Sequence, residues 1–249
     1  MPAPVLALVI GIVTSQVANL ATTIYLHRTL AHRAITLSPG VAFIFRVVIW
    51  ISTGIKPRQW AAVHRRHHAF TDIEGDPHSP VLLGWVRVQL TNPALYRRAA
   101  QDGVTVARYA RDVPADRWDR MLFDRAWLGL GIGFVLLSLL LGPLWAILAA
   151  AIHVALYLSL NASINAVTHT FGSRPYDNRA TNLQWLAWLT GGEGLHNNHH
   201  AAPTSARLAF RRGEYDPAWP FIRLLRRFGW ARVRHDRPRL REPAGVSAS

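Results

Sequence analysis

Two long stretches of this chain are nearly free of charge, and no other feature restricts its fold as strongly. Val5 to Leu26 is apolar apart from small polar residues. As a helix it would cover roughly 33 Å, enough to cross a bilayer. Ala126 to Ile164 is too long for one crossing. Gly142 and Pro143 divide it into runs of spanning length, 126–142 and 144–164, a helical hairpin with its turn outside. Val41 to Ile55 is shorter and carries Arg46 in its middle; a charge at bilayer depth is costly, so this run is expected as an in-plane or re-entrant helix.

The formal charge is +14, from 28 Lys and Arg against 14 Asp and Glu. These charges flank the apolar runs and are almost absent from them, which is the pattern of the positive-inside rule. No nucleic-acid-binding motif accompanies them, so anionic headgroups or a phosphate-bearing carrier are the expected counter-charges. The first apolar run has no Lys or Arg before it and passes into His27 and Arg28 without a small-residue cleavage site, so it is read as a retained helix with its N-terminus outside. Residues from Arg28 onward then face the cytoplasm, of a bacterial inner membrane by expectation. The chain has no cysteine, which excludes disulfides, thiolate metal ligands and cysteine nucleophiles.

The fold expected is all-α and integral to the membrane. About three spanning helices (5–26, 126–142 and 144–164) and an in-plane helix (about 41–55) would carry a cytoplasmic helical cap, 56–125 and 165–236. Within the cap, Asn92 to Arg120 reads as an amphipathic surface lid, and Gln184 to Leu189 as a Trp-bearing segment at the interface. Residues 1–236 form one domain in this reading; 237–249 form a disordered tail.

Most of the twelve histidines fall in three clusters: HRTLAH (His27, His32), HRRHH (His64, His67, His68) and HNNHH (His196, His199, His200). His169 stands alone in NAVTH. On a helix, positions i, i+3 and i+4 share a face, so each HxxHH presents three imidazoles together. His27 and His32 are five apart and share no ideal α-helical face; a frayed helix end would let them approach a site from two angles. The expected threading puts all four regions on one side of the membrane. Nine imidazoles exceed what one four-coordinate ion uses and point to two metals. Imidazole suits iron, zinc, copper and nickel alike. Two irons in such a shell would make a site able to activate oxygen. His153 reads as a packed or hydrogen-bonded helix residue, His235 as a solvated one, and His78 as structural or as a support behind the ligands rather than a ligand. Trp60, beside the second cluster, is a candidate for lining a substrate cleft.

The segments HRTLAHRA, QWAAVHRRHHAFTDIEGDPHSP, NAVTHTFGSRPYD and GEGLHNNHHAAPTSAR resemble the membrane-bound acyl desaturases, the group of stearoyl-CoA desaturase and the bacterial and plant acyl-lipid desaturases. The resemblance runs from about Leu20 to Trp230. It implies that His27, His32, His64, His67, His68, His169, His196, His199 and His200 are ligands of two iron ions. Asn165, one turn before His169, would complete the shell through a water. No catalytic residue beyond these ligands is implied. The reaction implied is oxygen-dependent: molecular oxygen is co-substrate, and a cis double bond enters a saturated acyl chain on coenzyme A, acyl carrier protein or a lipid. The His-Pro-Gly-Gly haem signature is absent, so no fused haem domain is expected. A separate ferredoxin or b-type cytochrome with its reductase would donate electrons. The family usually has a spanning hairpin before the first histidine pair, where this sequence fits one span.

Lys56, Arg58, Arg65, Arg66 and Arg174 are candidates for holding a carrier phosphate or headgroup, and Asp177 and Glu193 for orienting imidazole N–H groups. Two other functions fit parts of the pattern. A fatty-acyl hydroxylase would use the same ligands. A membrane metal-binding protein would need polar residues running through the bilayer, and the apparent spans hold few.

Overall fold

The computed structural model describes residues 1–236, 238 and 240. The expected disordered tail, 237–249, lies outside the described residues at all positions but these last two.

Helix α1 (Ala3–Ala21) continues without a break into a π-helical segment (Thr22–Ala31). Together they form a 29-residue apolar helix, long enough to cross a membrane. The run expected to end at Leu26 therefore extends past His27 to Ala31, with His32 as its C-cap, and its end is rewound rather than frayed. The His32 N–H donates to the His27 carbonyl at 3.1 Å, and the Thr29 hydroxyl donates to the Ile24 carbonyl at 2.8 Å. Both bonds bridge five residues, the π-helical spacing. The wider turn brings His27 and His32 onto one face, which an α-helix would not do.

Helix α8 (Pro143–Ala166) is the second helix of spanning length and lies beside α1. Gly11 sits against the Ala149 carbonyl, the Asn161 side-chain amide donates to Asn19 at 2.9 Å, and the Thr22 and Tyr157 hydroxyls meet at 2.8 Å. The two helices run in the same direction, so His27 and His169 emerge at the same end. Helix α7 (Ala126–Leu141) forms a hairpin with α8 across Gly142, where φ is +78°. Leu139, Leu144 and Ile147 on this hairpin are 80%, 69% and 58% exposed. Faces this apolar suit lipid tails, and the chain is a membrane protein.

Helix α2 (Pro39–Thr53) ends at Gly54 and turns by 86° into α3 (Pro57–Ala69). It lies tightly on α7, because a Cβ at Gly129 would collide with the Trp50 carbonyl and ring, and one at Gly133 with the Ile51 carbonyl. Arg46 is not bare in this helix. Its guanidinium binds Asp116 and Asp119 and lies 4.4 Å from the Phe123 ring centroid.

The cap is built from α4 (Pro80–Leu83), α5 (Trp85–Gln101), α6 (Gly103–Tyr109), a π-helical turn (Asp119–Phe123), α9 (Gln184–Leu189), α10 (His196–Ala201) and α11 (Ala218–Arg227). The lid expected over Asn92–Arg120 is thus a different object. Its main helix starts at Trp85, passes through Pro93, and packs on α8, where the Gln89 amide donates to the Ser159 carbonyl at 3.0 Å. The turn preceding it, with Ser79 capping α4 and Gly84 at φ +83°, sets that start. Two short strands, β1 (Ile35–Leu37) and β2 (Ala231–Val233), pair antiparallel and tie the segment after the first histidine pair to the end of the cap. Ile24, Leu26, Ile35, Ile49 and Ile222 are buried together beneath this ribbon.

Candidate metal centre

Four segments deliver the imidazoles. The π-helical end of α1 carries His27 and His32, and α3 carries His64, His67 and His68. The turn after α8 carries His169, and α10 carries His196, His199 and His200. These nine side chains separate into two adjoining groups. His27, His32, His64, His68 and His199 form one; His67, His169, His196 and His200 form the other. Within each, one ligand nitrogen per residue lies within 4.8 Å of every other. The second group is fully buried, whereas the first includes the half-buried His32 and His68.

The donor atoms fit a pair of bound metal ions. Nε2 atoms face one another at 3.1 Å (His27–His199), 2.7 Å (His32–His64), 2.9 Å (His68–His199) and 3.2 Å (His196–His200). Two ligands about 2.1 Å from one ion, at right angles, stand about 3.0 Å apart. Nε2 of His67 and of His169 are buried without a hydrogen-bond partner, a cost that a metal bond would remove.

The outer nitrogens are held by carboxylates. Nδ1 of His169 lies 2.7 Å from Asp72, Nδ1 of His67 lies 3.0 Å from Asp76, and Nδ1 of His27 lies 2.8 Å from Glu193. The His169 and His67 contacts place the Nδ1 proton outward and turn the Nε2 lone pair into the cluster; Glu193 stands beside Nδ1 of His27 as an ion-pair contact. Asp72 is itself fixed: its backbone is left-handed (φ +59°), its carboxylate accepts from Ser79 at 2.8 Å, and its carbonyl accepts from Arg179. The Glu193 carboxylate also accepts from Thr23.

Charge follows from this arrangement. Burial, reinforced by neighbouring imidazoles, holds His196, His199 and His200 well below the ordinary histidine range. Burial also lowers His169, against the opposing pull of Asp72. Burial pushes Asp76 up, but its contacts with His67 outweigh that and bring it to about 2. Glu193 is likewise raised by burial and held below its usual value by His27, Arg28 and Thr23. His169, His196, His199 and His200 are therefore neutral imidazoles beside ionised carboxylates, the protonation state that metal binding needs.

The other expected site residues fall in different places. Asn165 is half-buried and shares a cavity wall with His27 and His64. Trp60 stacks on His64, with ring centroids 4.9 Å apart, and lines the same cavity with Lys56. Arg65 is taken up by the Leu30 and Ala31 carbonyls and by Asp112, and Arg66 by the Gly75 carbonyl and Thr105. Both tie α3 to its neighbours. Arg58 is half-buried, and Arg174 is exposed beyond α8. Asp177 is exposed and bonds to no imidazole among the described residues; Asp72 and Asp76 orient histidines instead. His78 is buried beside His67, with ring centroids 4.9 Å apart and neither nitrogen partnered. His235 is half-buried, and its carbonyl accepts from the Ala206 N–H, so it is not a freely solvated residue.

Sequence reasoning missed Asp72, Asp76 and the Arg28–Asp216 pair. The two aspartates stand four and eight residues after His68, inside TDIEGDPHSP, and that proximity was the available signal. Nothing local links Arg28 to Asp216, 188 residues apart, yet their side chains form two bonds of 2.8 and 3.0 Å.

Known proteins are similar to this chain over most of its length. A family model described as fatty acid desaturase matches residues 2–232. An sn-1 stearoyl-lipid 9-desaturase of Synechocystis sp. is 27% identical over 225 residues, covering 86% of this chain and 67% of that protein. An acyl-CoA C20 Delta5-desaturase of Anemone leveillei is 31% identical over 217 residues, 84% and 67% of the two chains. Delta-9 acyl-lipid desaturase 1 of Arabidopsis thaliana is 29% identical over 235 residues, 90% and 74%. All nine clustered histidines and their carboxylate partners lie within the matched span, and the chain belongs to the fatty acid desaturase family.

Proposed function

We propose that this chain is an oxygen-dependent di-iron desaturase that places a cis double bond in a saturated acyl chain. The observation that carries the reading is the pair of adjoining imidazole groups at the head of a cavity. Iron bound there would supply oxygen activation and removal of two hydrogens. The balance is one acyl –CH2–CH2– unit, one O2, two donor electrons and two protons in, and one double bond and two waters out.

The chain's own residues have three tasks in this scheme. The five-histidine group and the four-histidine group, the latter completed by Asn165 through a water, would each hold one iron. Asp72 and Asp76 keep the imidazoles of His169 and His67 in the tautomer that binds metal. Trp60, stacked on His64 at the cavity wall, would align one methylene pair beside the irons, so positioning sets the place of the double bond. Electrons would come from a separate ferredoxin or b-type cytochrome with its reductase. The histidine end of the bundle would face the cytoplasm of a bacterial inner membrane.

Gas chromatography–mass spectrometry of fatty acids from a host expressing the chain with an electron donor tests this, beside His199→Ala. A monounsaturated acid present only with the unmodified chain is expected. A hydroxylated acid in its place would contradict desaturation.

A further inference from the structure

We infer that the acyl chain acted on here belongs to a bilayer lipid and reaches the site sideways, through an opening between α5 and the α7–α8 hairpin. This rests on the desaturase reading above. The cavity has a volume of about 620 Å³ and touches His27, His64 and Glu193 at one end. It follows α8 from Asn165 to His153, a stretch of thirteen residues that rises about 18 Å. Its wall is not closed. Leu130 on α7 and Val154 and Leu158 on α8 line it, yet they are 43%, 50% and 41% exposed. On a spanning hairpin such side chains face hydrocarbon, so the same residues touch the cavity and the bilayer.

The other side of the opening is α5. Val81, Leu82, Trp85, Val86 and Leu90 are exposed along α4 and the first half of α5, while Val88 is fully buried and Gln89 bonds to α8. A helix of the cap that packs on a span and turns so many apolar side chains outward rests at the membrane interface with those side chains toward lipid. Further along α5, Asn92 and Tyr96 line the cavity. One helix thus borders lipid and cavity.

Lys56 and Arg97 also line the cavity. Lys56 stands 3.7 Å from Asp124, and Arg97 is exposed. Cations beside an opening in the membrane suit a lipid phosphate, with its acyl chain passing inward. Coenzyme A also carries phosphate, so the test separates a lipid-borne chain from a water-borne one.

The full chain is placed in nanodiscs containing a phosphatidylglycerol with a diazirine in mid-chain, irradiated, and mapped by peptide mass spectrometry. Label is expected inside the cavity, at Trp60 and Ile164, and on the outer face, at Leu144 and Ile147. Leu158→Trp is expected to reduce the inner label several-fold and leave the outer label unchanged; Leu130→Trp does the same if the first variant misfolds. Stearoyl-CoA added in excess to the aqueous phase should leave the inner label in place. Absence of inner label in the unmodified chain, or its displacement by stearoyl-CoA, overturns the proposal. Labelling requires no turnover. A chain that labels but forms no double bond therefore counts against the reaction and not against the route.

Discussion

Asp76 holds the imidazole of His67 by its outer nitrogen at 3.0 Å, and both side chains are wholly buried. The inner nitrogen of His67 faces the four-histidine group. A ligand whose orientation depends on a second residue loses affinity when that residue changes, commonly 10- to 100-fold. Asp76→Asn should therefore weaken metal binding by about one to two orders of magnitude, with the fold retained. Iron remaining after dialysis against a graded chelator measures this, with Arg174→Ala as the control. Equal retention in both variants would contradict the orienting role.

The lowered histidines give the metal-free chain a definite pH dependence. His169, His196, His199 and His200 have folded-state values below the ordinary one, which is about 6.5. Below that pH the unfolded chain takes up protons that the folded chain does not, so stability falls as pH decreases. Each group contributes up to about 1.4 kcal/mol per pH unit in that window. Asp76, lowered to about 2, acts in the same direction at lower pH, its contribution being lost as pH falls toward that value. Thermal unfolding in detergent should show Tm nearly level from pH 8 to 7 and falling from 6.5 to 5. A Tm that rises over the acid range would contradict neutral imidazoles.

Arg28 and Asp216 are each 1% exposed at the side chain and joined by two hydrogen bonds. Removing one partner leaves a buried charge, at a cost of about 3–5 kcal/mol. Asp216→Leu should reduce stability by that order, and Arg28→Met with Asp216→Leu should recover much of it. A double variant as unstable as the single one would show that the pair has a further role.

Two glycines on α7 separate close packing from lipid exposure. Gly129→Ala drives a methyl into the Trp50 ring and carbonyl, whereas a methyl at Gly131 meets nothing within 4 Å. The first substitution should cost about 1–3 kcal/mol, and the second should be neutral or mildly stabilising through helix propensity. Equal Tm values for the two variants would contradict the α2–α7 contact.

Much of this arrangement is legible in the sequence because it rests on local periodicity. The apolar runs place α1, α7 and α8, Gly142–Pro143 places the hairpin turn, and both HxxHH clusters form the helices their spacing requires. What the sequence hides depends on distant partners. A five-residue gap between His27 and His32 looks wrong for a helix until the π-helical turn is seen. Arg65 and Arg66 look available to a substrate until Asp112, Thr105 and the Leu30, Ala31 and Gly75 carbonyls are seen to occupy them. The β1–β2 ribbon joins residues almost two hundred positions apart, and three-residue strands leave no periodic trace.

Nine imidazoles divided between two groups would hold two metal ions rather than one. Metal analysis per chain, on protein purified from iron-replete cells, tests it most directly, alongside His199→Ala from the first group and His196→Ala from the second. Two iron atoms per unmodified chain are predicted, with each variant falling toward one. A single metal per chain, or one variant losing metal while the other keeps both atoms, would contradict the two-centre arrangement.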